Sequence, residues 1–254
     1  QPNLLDFCGS SDSASKLVNQ EIFGNTELFD TPKPLELLNY FINITTDEND
    51  IILDFFSGSG TTAHAVMDLN AQDNGTRKFI CVQWAEKTPE KSEAKKAGYE
   101  TIFDITKARI DKAGEQIAKG DIGFRTFEIV EDQKQKIYQK SLEDVSQEDL
   151  LVMMEKPDIS SNEEILYNLF VAEALPLSTK HQELIKDKLY LASNVAFILG
   201  DITSDELVEA LKDKKECEYI TVYSPNISND KFTLEIESNI SKLGIKSDKL
   251  RFRG

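Results

Sequence analysis

The feature that most constrains this chain is a continuous apolar run, Ile51-Ile52-Leu53-Asp54-Phe55-Phe56, which passes directly into Ser57-Gly58-Ser59-Gly60-Thr61-Thr62. A short apolar run without alternation is expected of a strand buried on both faces of a parallel sheet. From Thr62 to Gln72 the residues Ala63, Val66 and Leu69 recur at helical spacing, and Asp73-Asn74-Gly75 marks a turn. Lys78-Phe79-Ile80-Cys81-Val82-Gln83-Trp84 then supplies a second buried strand, which a right-handed crossover places beside the first. Strand, loop, helix and strand in that order predict an α/β chain with a doubly wound sheet.

The flanking regions fill out this plan. Residues 1–30 read as a connecting segment that builds little core, with a short helical stretch around Ser15 to Phe23. Thr31-Pro32-Lys33-Pro34 leads into Leu35, Leu37, Leu38, Phe41 and Ile42, the pattern of a helix with one apolar face and proline near its first turn. After the polar, helix-tolerant stretch Lys87 to Gly98, Ile102, Ile105, Ile110 and Ile117 mark a long helix ending near Gly120. Residues 31–122 are therefore expected to form one subdomain. Thr126 to Val130 is a candidate strand, and the charged stretch within residues 123–160 reads as a linker or excursion. Residues 161–254 predict a smaller α/β or α+β domain: a helix around Glu163 to Leu175, a hairpin over Leu189 to Leu199 turning at Ser193-Asn194, a helix from Ser204 to Leu211, a strand from Tyr219 to Tyr223, a helix carrying Phe232, Leu234, Ile236, Ile240 and Leu243, and a last strand over Lys249 to Arg253.

Charge limits what this chain does alone. Twenty-nine Lys plus Arg against 45 Asp plus Glu give −16, and so acidic a surface repels phosphate at long range, so the chain by itself should bind DNA poorly. Cys8, Cys81 and Cys217 are scattered and form no CxxC pair, which argues against a disulfide framework or a zinc site and for reducing cytoplasm. No apolar stretch reaches the roughly 18 residues of a membrane span. Gln1-Pro2-Asn3-Leu4-Leu5 has no initiator methionine and reads as the middle of a longer chain.

The loop carries the chemistry. Glycines between a buried strand and a helix let backbone approach a ligand, and the helix N-terminus offers unpaired N–H groups with partial positive charge. Gly58-Ser59-Gly60-Thr61-Thr62-Ala63 fits the relaxed pattern GxGxx(G/A), so the glycines alone leave a nicotinamide-dependent oxidoreductase and a methyltransferase both open. The Gly-Lys-Ser/Thr ending of a triphosphate-binding loop is missing, which argues against an NTPase.

Context narrows the choice. Asp54 to Thr62, preceded by Lys33-Pro34 and an amphipathic helix, resembles the cofactor motif of amino-methylating DNA methyltransferases of the β arrangement, in which the cofactor motifs come last in the chain. Arg77-Lys78-Phe79-Ile80-Cys81-Val82-Gln83, then Glu93-Ala94 and Gly98-Tyr99-Glu100-Thr101-Ile102, resemble in particular the modification subunits of type III restriction systems. The resemblance covers about Phe7 to Phe127, and more faintly Asp201 to Asn239. It implies a partial Rossmann-like sheet that binds S-adenosylmethionine within an adenine-N6 DNA methyltransferase, with DNA, a second copy and a restriction subunit as partners, and a C-terminal assembly domain.

It also implies roles. Asp54, Phe55, Ser57, Gly58, Ser59 and Gly60 would shape the pocket, backbone N–H groups and the Thr61 or Thr62 hydroxyls would meet the carboxylate of the methionine part, and Thr31 and Lys33 would approach the methionine end. The ribose is normally met by an acid at the end of the second strand. This chain has Gln83 there, so either the Gln83 amide or Glu86 takes that place. Methyl transfer in the family uses an Asp/Asn-Pro-Pro-aromatic segment that holds a flipped base. The seven prolines here include no adjacent pair, so no catalytic residue is expected in this chain, and a non-catalytic assembly module is a further reading. His64 and His181 read as packing or surface residues, Trp84 as a core aromatic at a sheet edge rather than a stacking platform, Cys81 as a buried small hydrophobe, and Arg251 and Arg253 as surface charges; none has metal-ligand spacing.

Overall fold

The computed structural model describes residues 6–24, 27–130, 133–141, 144–154, 161–228 and 232–253. The opening residues 1–5 lie outside them. The chain divides into two compact units, Gln1–Ile129 and Val130–Gly254.

In the first unit, α1 (Ser11–Ser15) continues into a wider, π-type helical stretch, Lys16–Ile22; Ala14 of α1 and Val18 and Ile22 of the wider stretch are buried at four-residue spacing. Buried Asn19 then pins the returning chain: its Oδ1 accepts from the N–H groups of Leu28 (3.0 Å) and Phe29 (3.2 Å), and its Nδ2 donates to Phe29 O (3.0 Å). Leu28 packs with Ala94 and Ile105. The segment expected to build little core is therefore part of it, because its apolar residues fall on one helical face.

Pro34 caps α2 (Leu35–Thr45), and β1 (Ile51–Asp54) follows. After the glycine loop come α3 (Thr61–Asp73), β2 (Lys78–Cys81), the short α4 (Glu93–Lys96) and α5 (Ile102–Ile117). β1 and β2 pair in parallel with Ile51 opposite Lys78 and Asp54 opposite Cys81, the expected strand–helix–strand unit. Thr101 and Asp104 form a reciprocal N-terminal cap on α5. Ile42 of α2 packs with Ala65, Val66 and Leu69 of α3 against Ile52 and Phe79; Ala63 and Met67 pack with Ile110 and Ala113 of α5. All three helices thus share one face of the strand pair.

The other face corrects the sequence reading. Ile51, Leu53, Ile80 and Val82 are 61%, 49%, 50% and 38% exposed, so neither strand is buried on both sides. β1 stops at Asp54 and β2 at Cys81, shorter than their apolar runs. Phe55 and Phe56 enter the turn and are exposed, and Trp84, read as a core aromatic, is 83% exposed. The reason is common to all: the apolar residues are there, but among the described residues of this unit no layer covers the second face. Residues 126–130 form no strand, although Ile122 and Phe124 nearby pack on the α3–α5 cluster.

The second unit begins with α6 (Gln133–Tyr138) and α7 (Gln147–Met154), so the charged stretch holds two short helices, linked by an ion pair from Lys140 to Asp149 at 2.8 Å. Then come α8 (Asn162–Ala172), β3 (His181–Ile185), β4 (Leu189–Ala192), β5 (Val195–Ile198), α9 (Ser204–Leu211), β6 (Tyr219–Tyr223), α10 (Phe232–Asn239) and β7 (Leu250–Arg253). They form a five-stranded mixed sheet in the order β3-β4-β5-β6-β7, antiparallel over the first three and parallel over the last three. The hairpin turns at Ser193, in left-handed conformation, as expected. β3, not anticipated because His181-Gln182-Glu183 is polar, is an edge strand whose first three residues are exposed. Leu207, Phe232, Ile236 and Ile240 cover one face of the sheet; Leu166 and Phe170 of α8 cover the other. Both units mix helix and strand, in keeping with an α/β fold. Among the described residues no helix is long and apolar enough to cross a membrane.

Candidate functional site

The loop between β1 and α3 is built from its ends inward. Asp54, the last residue of β1, uses both carboxylate oxygens: Oδ1 accepts from the Phe56 N–H at 3.0 Å, and Oδ2 accepts from the Thr62 hydroxyl at 2.5 Å. The strand end and the first turn of α3 are thereby clamped together. Ser57 N–H donates to Val82 O at 3.1 Å, tying the loop to the residue after β2, and Gly60 N–H donates to Ser57 O at 2.7 Å, closing a tight turn.

Gly58 and Gly60 both lie in the left-handed region, at φ +52° and +79°, where a Cβ is strained. Gly60 is the more constrained: a Cβ there would sit 3.2 Å from both the Ile110 side chain and the Thr106 carbonyl. At Gly58 the nearest atom would be Phe29 Cζ at 3.5 Å. Gly60 is also the N-cap of the 13-residue α3, and it offers no capping side chain. The first N–H groups of a helix have no intrahelical partner and form a seat for an anion.

Around this loop the structure gathers some expected residues and not others. The Gln83 amide reaches it: Oε1 accepts from Gly58 N–H at 2.7 Å while Nε2 donates to Trp84 O at 3.0 Å. Lys33 contributes its carbonyl, which accepts from the Thr61 hydroxyl at 3.4 Å, and its side chain is exposed. Thr31 and Glu86 are exposed, and their side chains form no hydrogen bond to the loop among the described residues.

Two residues of α5 that the loop's own sequence does not announce complete the arrangement. Thr106 Oγ1 lies 2.5 Å from Gly58 O and 2.9 Å from Ile102 O, sharing its one proton between them. Arg109 is 0% exposed and places Nη1 2.7 Å from both Ser59 Oγ and Thr61 Oγ1. Its Nε and Nη2 have no hydrogen-bond partner among the described residues. Burial pushes the guanidinium down to about 10, which still leaves it a cation at neutral pH. The signal was available: Arg109 stands among Ile102, Ile105, Thr106, Ile110 and Ala113 on the inward stripe of α5, where a charge is out of place.

His64, in the first turns of α3, is buried; desolvation and then the Arg109 charge push its pKa down to about 4. It is a neutral packing residue near pH 7, as the sequence led one to expect. Burial pushes the Cys81 thiol up to about 12, so it is not a nucleophile at neutral pH. In the second unit, Arg251 and Arg253 both pair with Glu173, whose side chain is fully buried. Among the described residues no cluster of His, Cys, Asp and Glu could hold a metal ion.

Residues 9–101 match the DNA methylase family. The chain is 42% identical over 113 residues to the Mod subunit of the type III restriction-modification enzyme StyLTI of Salmonella typhimurium, covering 42% of this chain and 17% of that protein. It is 42% identical over 107 residues to the EcoP15I Mod subunit of Escherichia coli, covering 42% and 16%. With the type II methyltransferase M.KpnI of Klebsiella pneumoniae it shares 38% over 110 residues, covering 43% and 26%. The chain thus spans less than a fifth of the length of the Mod subunits it matches. The stretch that matches the DNA methylase family, residues 9–101, holds α2, the parallel strand pair and the whole glycine loop, and the chain is similar over about 110 residues to type III modification subunits.

Proposed function

We propose that this chain carries the S-adenosylmethionine-binding part of an adenine-N6 DNA methyltransferase, the modification subunit of a type III restriction system. The observation that carries the reading is the uncapped start of α3 behind two left-handed glycines, held open by Asp54 and Thr106. Backbone N–H groups at Thr61 and Thr62 suit the carboxylate of the methionine part. The two buried Arg109 donors without partners fit a site that expects negative charge nearby. When bound, the cofactor would supply the methyl group; the chain's own residues bind and orient it. Exposed Trp84, directly after Gln83, is placed to offer a stacking face for adenine. With Gln83 held by Gly58 and the Glu86 side chain open, Glu86 is the better partner for the ribose hydroxyls.

β1 and β2 are then two strands of a larger Rossmann-like methyltransferase sheet. Support comes from their parallel pairing and from the apolar face formed by Ile51, Leu53, Ile80 and Val82, which a second helix layer of such a sheet would cover. Base binding and methyl transfer belong to the whole protein, because this sequence has no Pro-Pro-aromatic segment. DNA, a second copy and a restriction subunit are its proposed partners, and residues 161–254 the proposed assembly domain.

Isothermal titration of the chain with S-adenosylmethionine, S-adenosylhomocysteine and NAD tests the proposal. Saturable binding of the two adenosyl ligands and none of NAD is expected. NAD binding without either adenosyl ligand would show an oxidoreductase loop instead.

A further inference from the structure

Arg109 lies beyond residues 9–101 that match the methylase family, and nothing in the loop's chemistry requires a cation from α5. Its position is costly. A guanidinium that is fully buried, with two of its three nitrogens unpartnered among the described residues, loses its hydration without recovering it from a carboxylate. Burial lowers its pKa, and among the described residues no carboxylate pairs with it. The oxygens that Nη1 does reach, Ser59 Oγ, Thr61 Oγ1 and more distantly Ser59 O at 3.4 Å, are neutral.

The place where this charge sits makes the imbalance larger. Thr61 is the first residue of α3, so Arg109 adds a full positive charge to the positive end of a 13-residue helix dipole. His64, one turn along, is driven to its neutral form partly by the same charge. Asp54, the acid of the loop, has both oxygens engaged, with Phe56 and Thr62. Helix end and guanidinium therefore place two sources of positive potential behind Ser59 and Thr61, while the Asp54 carboxylate stands on the Thr62 side of the loop. A low-dielectric surround lets that potential persist to the ligand side of the loop. An anionic group at the start of α3 would balance it.

Resting on the reading of the loop as a methyl-donor site, we propose that Arg109 is a positioning residue for that site: it fixes the Ser59 and Thr61 hydroxyls from beneath and makes the seat selective for an adenosyl ligand with a carboxylate. It touches the loop, not the ligand. Through Thr61 the same network reaches the Lys33 carbonyl, so one side chain couples α5, the loop and the segment leading into α2.

The test compares S-adenosylmethionine with decarboxylated S-adenosylmethionine, which lacks only the carboxylate, by calorimetry on the full chain and on Arg109→Met, Arg109→Gln and Arg109→Lys. Wild type is expected to prefer the carboxylated ligand at least tenfold. Arg109→Met and Arg109→Gln should reduce that preference to within about threefold by weakening S-adenosylmethionine alone, while Arg109→Lys, which keeps the charge, retains it. Arg109→Gln keeps a hydrogen-bonding group for Ser59 and Thr61 and carries the comparison if the methionine variant fails to fold. An unchanged preference in a folded neutral variant, or equal loss for both ligands, would overturn the proposal, the second outcome reducing Arg109 to a structural support. Wild-type protein that binds neither ligand would instead refute the methyl-donor reading itself, before any variant is compared.

Discussion

At the scale of single residues, Gly60 and Gly58 look alike in sequence and differ in what surrounds them. Both need positive φ, but only Gly60 backs onto α5 at 3.2 Å. Gly60→Ala is expected to destabilise the first unit by about 2–4 kcal/mol, backbone strain plus overpacking, and Gly58→Ala by about 1 kcal/mol, strain alone. Urea unfolding measures both; equal losses would mean that the α5 contact is not tight. His64 gives a pH signature. Its folded pKa of about 4 lies below the unfolded 6.5, so between these values the unfolded chain binds more protons and stability falls as pH falls. Acidifying from pH 7.5 to 5 should cost roughly 2 kcal/mol through this residue, and His64→Gln should flatten that limb. The same pH dependence in the variant would assign it elsewhere. At this scale the loop was legible because glycine spacing states a backbone need directly. Arg109 shows in the sequence only as a charge on the inward stripe of α5; its contact with the loop, 48 to 50 residues away, does not.

Among the elements, helices and strands with their own periodicity appeared where the sequence put them: α2, α3, α5, α9 and β6 all follow their apolar spacing. Burial was harder to read. The runs at 51–56 and 78–84 describe strands made to be covered twice, and within their own unit they are covered once. Polar β3 went unseen because an edge strand need not alternate. The one-sided covering has a measurable consequence. Leu69→Ala, beneath α2, should cost about 2–5 kcal/mol, whereas Leu53→Thr on the open face should change stability by about 0.5 kcal/mol or less. Comparable losses from both would show that the second face is packed in solution. Asn19→Ala tests the return of the chain toward Lys33: the Leu28 and Phe29 N–H groups lose their acceptor, with an expected cost of about 2–4 kcal/mol by thermal denaturation. A cost near zero would mean that water replaces the side chain.

For the whole molecule, a net charge of −16 and the pairing of Arg251 and Arg253 with Glu173 leave little to attract phosphate. Fluorescence anisotropy with duplex DNA at physiological salt should show no saturation below about 10 µM; tighter binding would reveal a basic patch that the total conceals. The proposed contribution of the chain is a cofactor seat. Titrating isotope-labelled chain with S-adenosylhomocysteine and following the backbone amides is the most direct measurement of that claim. Saturable shifts concentrated at Gly58, Ser59, Gly60, Thr61 and Gln83 are expected; no shifts, or shifts confined to residues 161–254, would contradict it.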